Sequence, residues 1–578
     1  MMIKKVLSAI IAVVIINGSI AIACTTMAVG KNATSDGSVM IAHSDDGLGD
    51  PRLIFVKAQD HKPGSMRAVY YNSCAMGQLD EWSSTLQYRM VSDVRAPEYN
   101  TPINGKYDTP LGYIPQVAHT YAYYDHNYGI MNEHQLLIGE CTDKAKVHTL
   151  PDPDKRIMYS AELSRIVLER CKTARDAIKL MGQLIKEYGY YGTGETLLVG
   201  DTKEAWVMEM CSYDKNGMDG VWVAKRVPDD EVFVAANEFR IREVIKNDPD
   251  MMYSENIFEV AKNKGWWEEK DGDLDFTVVY GDGEFHHPYY SKRRVWRAFS
   301  LFAPSLKLSA WVKDAYSREY PFSVKPDSKV DYLDIHNVYQ DNYEGTEFDL
   351  TKGLAAGPFG NPNRFEGGAE AVTTDGQLSV VKGNFERPIN IYRCAYSYVV
   401  QARGWLPDII GGRLFYSPDR PATSALFPMY SGISELPKAF TIGNILKFDR
   451  ESISTTFNYV ANYVMIKYSY MIEDLRKVRD GFDARMSTDM VKAEEEANKL
   501  WLSGKKDSAK KVLSELTAKY AKDIHKAWWD LHDYLYITYE DGYINSKEEI
   551  GKAIYYPAWW LKAVGVEGKL ESYAKPEK

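Results

Sequence analysis

The chain has 578 residues, 45% of them hydrophobic, enough to bury a large core in one elaborated domain or in two to three smaller ones. Its 70 basic and 80 acidic residues leave a formal charge of −10 with no long basic run, which argues against a nucleic-acid partner. Six cysteines without close pairs argue against a structural zinc site or a disulfide-stapled miniprotein, although one or two disulfides stay open.

The N-terminal stretch reads as a leader. Lys4 and Lys5 supply a positive start, Val6 to Ile16 an apolar run, and Ala21 and Ala23 the small residues of a cleavage site. The run is shorter than the ~20 residues that span a bilayer, and Asn17, Gly18 and Ser19 interrupt it. The expectation is a signal peptide over residues 1–23, cleavage before Cys24, and export to the periplasm, cell surface or medium with no stable membrane insertion afterwards. An uncleaved anchor and lipidation of Cys24 are the competing fates, and Ala21 suits plain cleavage better than lipoprotein processing.

From Thr25 to Asp46 the pattern predicts a β-hairpin. Thr26 to Val29 is strand-like, Thr34 to Ser38 carries turn chemistry, and Val39 to Ala42 is a second apolar run before His43, Ser44, Asp45 and Asp46. Such a hairpin places Cys24 beside Asp46. Tyr128 to Glu133 and Gln135 to Gly139 suggest a second strand pair. Two amphipathic helices follow, one with Leu163, Ile166, Val167 and Cys171 inward, the other capped at Thr173 to Asp176 and stopped by Gly189. Glu195 to Gly200 and Glu204 to Glu209 return to strand, and Val221 to Ala224 with Val232 to Ala236 reads as a further pair. Tyr280 to Tyr339 is aromatic-rich with little periodicity and reads as loops walling a pocket. From about Ser452 the pattern becomes helical, including Asp489 to Lys522. This order of elements predicts an α+β fold of antiparallel sheets covered by helices.

Cleavage before Cys24 would leave a thiol and an α-amine on one residue. The thiol is a weak nucleophile until deprotonated, and an α-amine titrating at ~7.7–8.0 suits a base that later returns its proton to a leaving amine. No histidine is then required.

Cys24-Thr25-Thr26, Ala28-Val29-Gly30, Ser35 to Ser38 and Ala42 to Asp46 together resemble the N-terminal signature of the cysteine dipeptidase family of N-terminal-nucleophile (Ntn) hydrolases, related to secernins, choloylglycine hydrolases and penicillin V acylases. Gly129 to Glu133, Gly194-Glu195-Thr196 through Trp206, Pro228 through Ile241, Ser291 to Arg297, Arg403 to Asp408 and Phe415 to Pro428 extend the resemblance to about residue 430. It implies an αββα sandwich over residues 24–450 with a mainly helical region over 451–578. It also implies an exported dipeptidase acting on small peptides without cofactor or metal. Cys24 would attack the carbonyl, Asp46 would orient its amine, Asn132 and Asn237 would bind the oxyanion, and Arg294 or Arg297 would stand near the nucleophile. His43 and Asp45 would face substrate, with His43 departing from the arginine common in relatives. Two alternatives stay open: an amidase on N-acyl conjugates of the bile-salt or penicillin V type, and a non-catalytic lipidated binding protein. The adjacent His286 and His287 lack ligand spacing.

Overall fold

The computed structural model describes residues 24–47, 50–71, 109–218, 220–285, 289–364, 386–444 and 447–566. The expected leader, Cys74, and the His286-His287 pair lie outside them.

Two antiparallel sheets stack face to face. One holds, in spatial order, β16 (Ser323–Val324), β14 (Val232–Ala235), β1 (Thr25–Val29), β2 (Val39–Asp45), β17 (Tyr396–Ala402), β18 (Arg413–Pro418) and β19 (Phe427–Tyr430). The other runs β15 (Met251–Tyr253), β13 (Gly220–Val227), β12 (Ala205–Ser212), β11 (Gly194–Gly200), β10 (Leu137–Asp143), β9 (Gly129–Asn132), β8 (Tyr123–Asp125) and β3 (Ile54–Val56). Two ribbons, β4 (Gln59–Asp60) with β7 (His119–Thr120) and β5 (Met66–Val69) with β6 (Gly112–Pro115), lie outside these sheets. The central strands β1, β2, β10, β11 and β12 are buried along their whole lengths, so their sequences are apolar runs rather than alternations. Where they meet, the sheets approach closely: a Cβ on Gly139 of β10 would lie 2.8 Å from Ile41 and 2.9 Å from Thr26.

Helices cover both outer faces. α1 (Ser160–Arg170) and α2 (Ala174–Tyr188) pack on the eight-stranded sheet. Thr173 caps α2 by accepting from the Asp176 amide, and Gly189 ends it at φ 67°. α3 (Lys292–Phe302), α4 (Tyr332–Tyr339) and α5 (Ile453–Val464) pack on the seven-stranded sheet. The result is the expected αββα order. α6 (Tyr468–Leu502) and α7 (Lys506–Tyr539) then form an antiparallel hairpin whose α7 lies against β19, its Thr517 hydroxyl donating to the Pro428 carbonyl. No helix among the described residues is long and apolar enough to cross a membrane.

Three expectations change. Val221–Ala224 and Val232–Ala236 are not a hairpin: β13 stays in the eight-stranded sheet, while the chain crosses at Pro228–Asp230 and β14 joins β1 in the other. The segment from Tyr280 to Tyr339 is not only loop, since α3 and α4 lie within it. The helical pattern from Asp489 to Lys522 is divided at Gly504, whose φ of +82° reverses the chain.

Candidate active site

Cys24 stands at the head of β1, in the middle of the seven-stranded sheet, and is fully buried. The register that sets Thr25 opposite Ser44 brings the end of β2 alongside it, with the Thr25 amide on the Ser44 hydroxyl at 3.2 Å. Its thiol donates to Glu140 Oε2 at 3.2 Å, and its carbonyl accepts from Arg294 Nη1 at 2.7 Å and from the Cys141 thiol at 3.6 Å.

The surroundings are rich in buried carboxyls. Burial pushes the Cys24 thiol well above its usual pKa, with Glu140 and Asp45 adding to the effect. Asp45 accepts from Asn127 Nδ2 at 2.6 Å, yet burial raises its pKa to about 7. Asp46 accepts from Arg387 and, at 3.5 Å, from Ser44, while its Oδ1 is buried without a hydrogen-bond partner. Glu140 accepts the Thr142 hydroxyl at 2.9 Å, and burial beside Glu195 pushes its carboxyl far up. His43 is wrapped by Tyr128, Tyr396 and Tyr398. Its Nδ1 lies 2.7 Å from the Glu140 carbonyl, and burial lowers its pKa to about 4, so the ring is neutral. The Cys24 sulfur, a His43 ring nitrogen and a Glu140 carboxylate oxygen lie within 4.8 Å of one another.

Arg294 and Asn237 brace the nucleophile strand. All five N–H groups of Arg294 are engaged: Nη1 on the Cys24 carbonyl and Thr25 Oγ1, Nη2 on the Ala236 carbonyl and Asn237 Oδ1, Nε on the Tyr290 carbonyl. Burial, with Arg387 nearby, lowers its pKa to about 10, and none of these partners is a carboxylate. Asn237 sits just past β14 at φ 64°, a left-handed conformation that asparagine tolerates. There its amide bonds the Thr142 carbonyl at 2.6 Å and its N–H meets the Cys141 sulfur at 2.8 Å.

Two expected residues are placed elsewhere. Asn132 donates both amide hydrogens, to the Leu168 and Cys171 carbonyls, and accepts the His134 and Leu136 N–H groups. It therefore ties the β9–β10 turn to the end of α1, with no hydrogen left for an oxyanion. Arg297, one turn beyond Arg294, forms a two-pronged pair with Asp341 and touches the Glu344 carbonyl. Sequence reasoning missed Glu140, Glu195, Arg387 and Asn127. A signal existed for Glu140: an acid inside the apolar run Leu136 to Cys141 is a buried carboxylate that needs a reason. Among the described residues the five cysteines are unpaired. A cleft of about 650 Å³ opens at the end of β2, with Gly47, Arg393 and Cys394 on its wall.

Among known proteins, a probable dipeptidase from Salmonella dublin is 25% identical over 415 residues, covering 71% of this chain and 82% of its own. A probable dipeptidase from Latilactobacillus sakei is 27% identical over 434 residues, covering 73% and 78%. Penicillin V acylase from Agrobacterium tumefaciens overlays on 70% of this chain and 86% of its own at a TM-score of 0.27 and 12% identity, too slight a likeness to carry weight. The description "Peptidase family C69" matches residues 23–481, a span that takes in both sheets and every residue placed around Cys24. The chain belongs to peptidase family C69.

Proposed function

We propose that this peptidase is an exported dipeptidase that works through an acyl-enzyme on Cys24 once residues 1–23 are removed. The observation that carries the reading is the junction at Cys24: a thiol at the head of a central strand, its carbonyl pinned by Arg294, with the carboxylates of Asp45 and Asp46 at the adjacent strand end. The relatives named dipeptidases supply the substrate class.

The freed α-amine takes the thiol proton, and sulfur attacks the peptide carbonyl. Asp46 is suited to hold the resulting ammonium, because Arg387 fixes Oδ2 while Oδ1 has no partner. The Asn237 side-chain amide has its oxygen on Arg294 and one hydrogen on the Thr142 carbonyl, and its other hydrogen is the donor available to the tetrahedral oxyanion. Collapse expels the amine, which takes the proton from the ammonium, and water then cleaves the thioester by the same relay. Arg294 positions the strand. Before cleavage the nitrogen of Cys24 is an amide and cannot serve as base. The thiol, raised by burial and surrounding acids, then stays protonated and the precursor is silent.

Two preparations test this: protein starting at Cys24, and protein with one alanine ahead of it. The first is expected to hydrolyse dipeptides and the second to be inert. Equal rates would remove the α-amine from the mechanism, and absence of dipeptide hydrolysis in the first would overturn the substrate assignment.

A further inference from the structure

We infer that Cys24, His43 and Glu140 form a binding site for one thiophilic divalent cation of the zinc type, and that its occupation silences the nucleophile. The donor set is one sulfur, one imidazole nitrogen and one carboxylate oxygen, all fully buried and all within 4.8 Å of one another. Cys24 Sγ is 3.2 Å from Glu140 Oε2, and a ring nitrogen of His43 lies within 4.8 Å of both ligand atoms. Zinc bonds of about 2.3 Å to sulfur and 2.0–2.1 Å to nitrogen or oxygen set tetrahedral neighbours about 3.5 Å apart, close to the sulfur–oxygen separation.

A second observation points to a ligand. His43 Nε2 is buried without a partner, while Nδ1 lies 2.7 Å from the Glu140 carbonyl and 3.3 Å from the Glu140 amide; with the ring proton on Nδ1, facing that carbonyl, Nε2 keeps a free lone pair. A ring N–H held by a backbone carbonyl is how metal-binding imidazoles are oriented. The supporting shell extends to Glu140, whose Oε1 takes the Thr142 hydroxyl at 2.9 Å. Among the described residues no lysine or arginine pairs with Glu140, so a thiolate and a carboxylate would supply the two negative charges that a buried divalent cation needs. Thiolate with imidazole favours zinc over magnesium or calcium. As the metal–sulfur bond forms, the thiol proton leaves to solvent and the sulfur lone pair that would attack a carbonyl is occupied. On the reading proposed above, the mature α-amine closes a five-membered N,S chelate as a fourth ligand; the three side-chain ligands do not depend on it.

The test uses mature protein equilibrated with Zn²⁺, desalted and assayed for metal, and in parallel loaded with Co²⁺. One zinc per chain and a thiolate-to-cobalt absorption band are expected. Dipeptide hydrolysis should be lost on zinc loading, restored by a chelator and indifferent to Mg²⁺ or Ca²⁺. Glu140→Gln and His43→Gln should each weaken zinc by more than the roughly 10–100-fold that loss of an outer-shell partner costs. Sub-stoichiometric zinc, a cobalt spectrum without the thiolate band, or unchanged affinity in folded Glu140→Gln would overturn the site; the cobalt spectrum decides on unaltered protein. An active dipeptidase indifferent to zinc refutes this inference alone. A chain that binds zinc through its thiolate yet cleaves no dipeptide refutes the proposed function alone.

Discussion

Glu494 on α6 and Glu140 on β10 are both buried carboxyls, and the protein treats them oppositely. Glu494 takes Arg403 Nη1 at 2.8 Å, Arg413 Nη2 at 2.6 Å and the Tyr430 hydroxyl at 2.7 Å. Burial works against its charge, but Arg413 and Arg403 outweigh it and hold the carboxyl below its usual pKa. Glu140 has a thiol, a threonine hydroxyl and another carboxyl, and burial with Glu195 drives it far up. The first arrangement fastens the helical hairpin to the seven-stranded sheet. The second keeps groups uncompensated between the sheets, where a substrate, a proton or a cation can complete them. Removing a partner should therefore damage stability in one region and chemistry in the other.

The largest separation is expected from Cys24→Ala, which should cut dipeptide hydrolysis by a factor on the order of 10⁶, the scale of a lost nucleophile. Thermal unfolding should stay near that of the unaltered protein. Glu494→Gln should do the reverse, leaving the buried Arg403 and the partly buried Arg413 without their carboxylate at a cost of about 3–5 kcal/mol in urea unfolding. A fall in kcat with Glu494→Gln, beyond its effect on the folded fraction, would erase the distinction between the regions.

Local chemistry explains what the sequence made readable. The hairpin turn is announced by Asp36 and Gly37, and the structure has the Ser38 amide on Asp36 Oδ1 at 3.0 Å with Gly37 at φ 84°. Thr173 and Gly189 likewise mark both ends of α2 from within its own sequence. What failed was non-local. Nothing in Val232–Ala235 says that it leaves the sheet of the preceding strand, because its partners are β1 and β16. Asn132 and Asn237 look alike as loop amides. Only the tertiary contacts show that α1 uses up the first, while Arg294 and Thr142 hold the second beside Cys24. For Glu140 the local pattern shows a buried acid but not its partner, a thiol 116 positions away.

The arginine pair on α3 offers a narrower contrast. Arg294→Lys keeps the charge but cannot reproduce five planar contacts, and each lost charged hydrogen bond is worth about 1.5–3 kcal/mol. Because two of those contacts reach Cys24 and Thr25, the expected loss includes kcat. Arg297→Lys breaks the two-pronged contact with Asp341 and should lower unfolding free energy on the same scale while kcat holds. Parallel losses of kcat in both variants would mean that α3 as a whole, rather than Arg294, positions the nucleophile.

The smallest effect is a slope. Asp45 is raised to about 7 in the folded protein, so between about pH 4 and about pH 7 the folded state holds a proton that the unfolded chain has lost. Stability from this group is fully present below its unfolded pKa and disappears as pH climbs through 7, at no more than about 1.4 kcal/mol per pH unit. His43, lowered to about 4, acts with the opposite sign between about pH 4 and pH 6.5, since unfolding lets it gain a proton. The decisive quantity is therefore a difference between variants: Asp45→Asn should remove up to one proton's worth of downward slope in urea unfolding measured from about pH 5 to about pH 7. Glu494→Gln should leave that slope alone, because a carboxyl held below its usual pKa contributes stability that is lost only as acid carries the pH down past its ordinary range. Identical slopes in the Asp45→Asn variant and the unaltered protein would show that Asp45 is ionised in the folded state, and would place it with Glu494 among the neutralised charges.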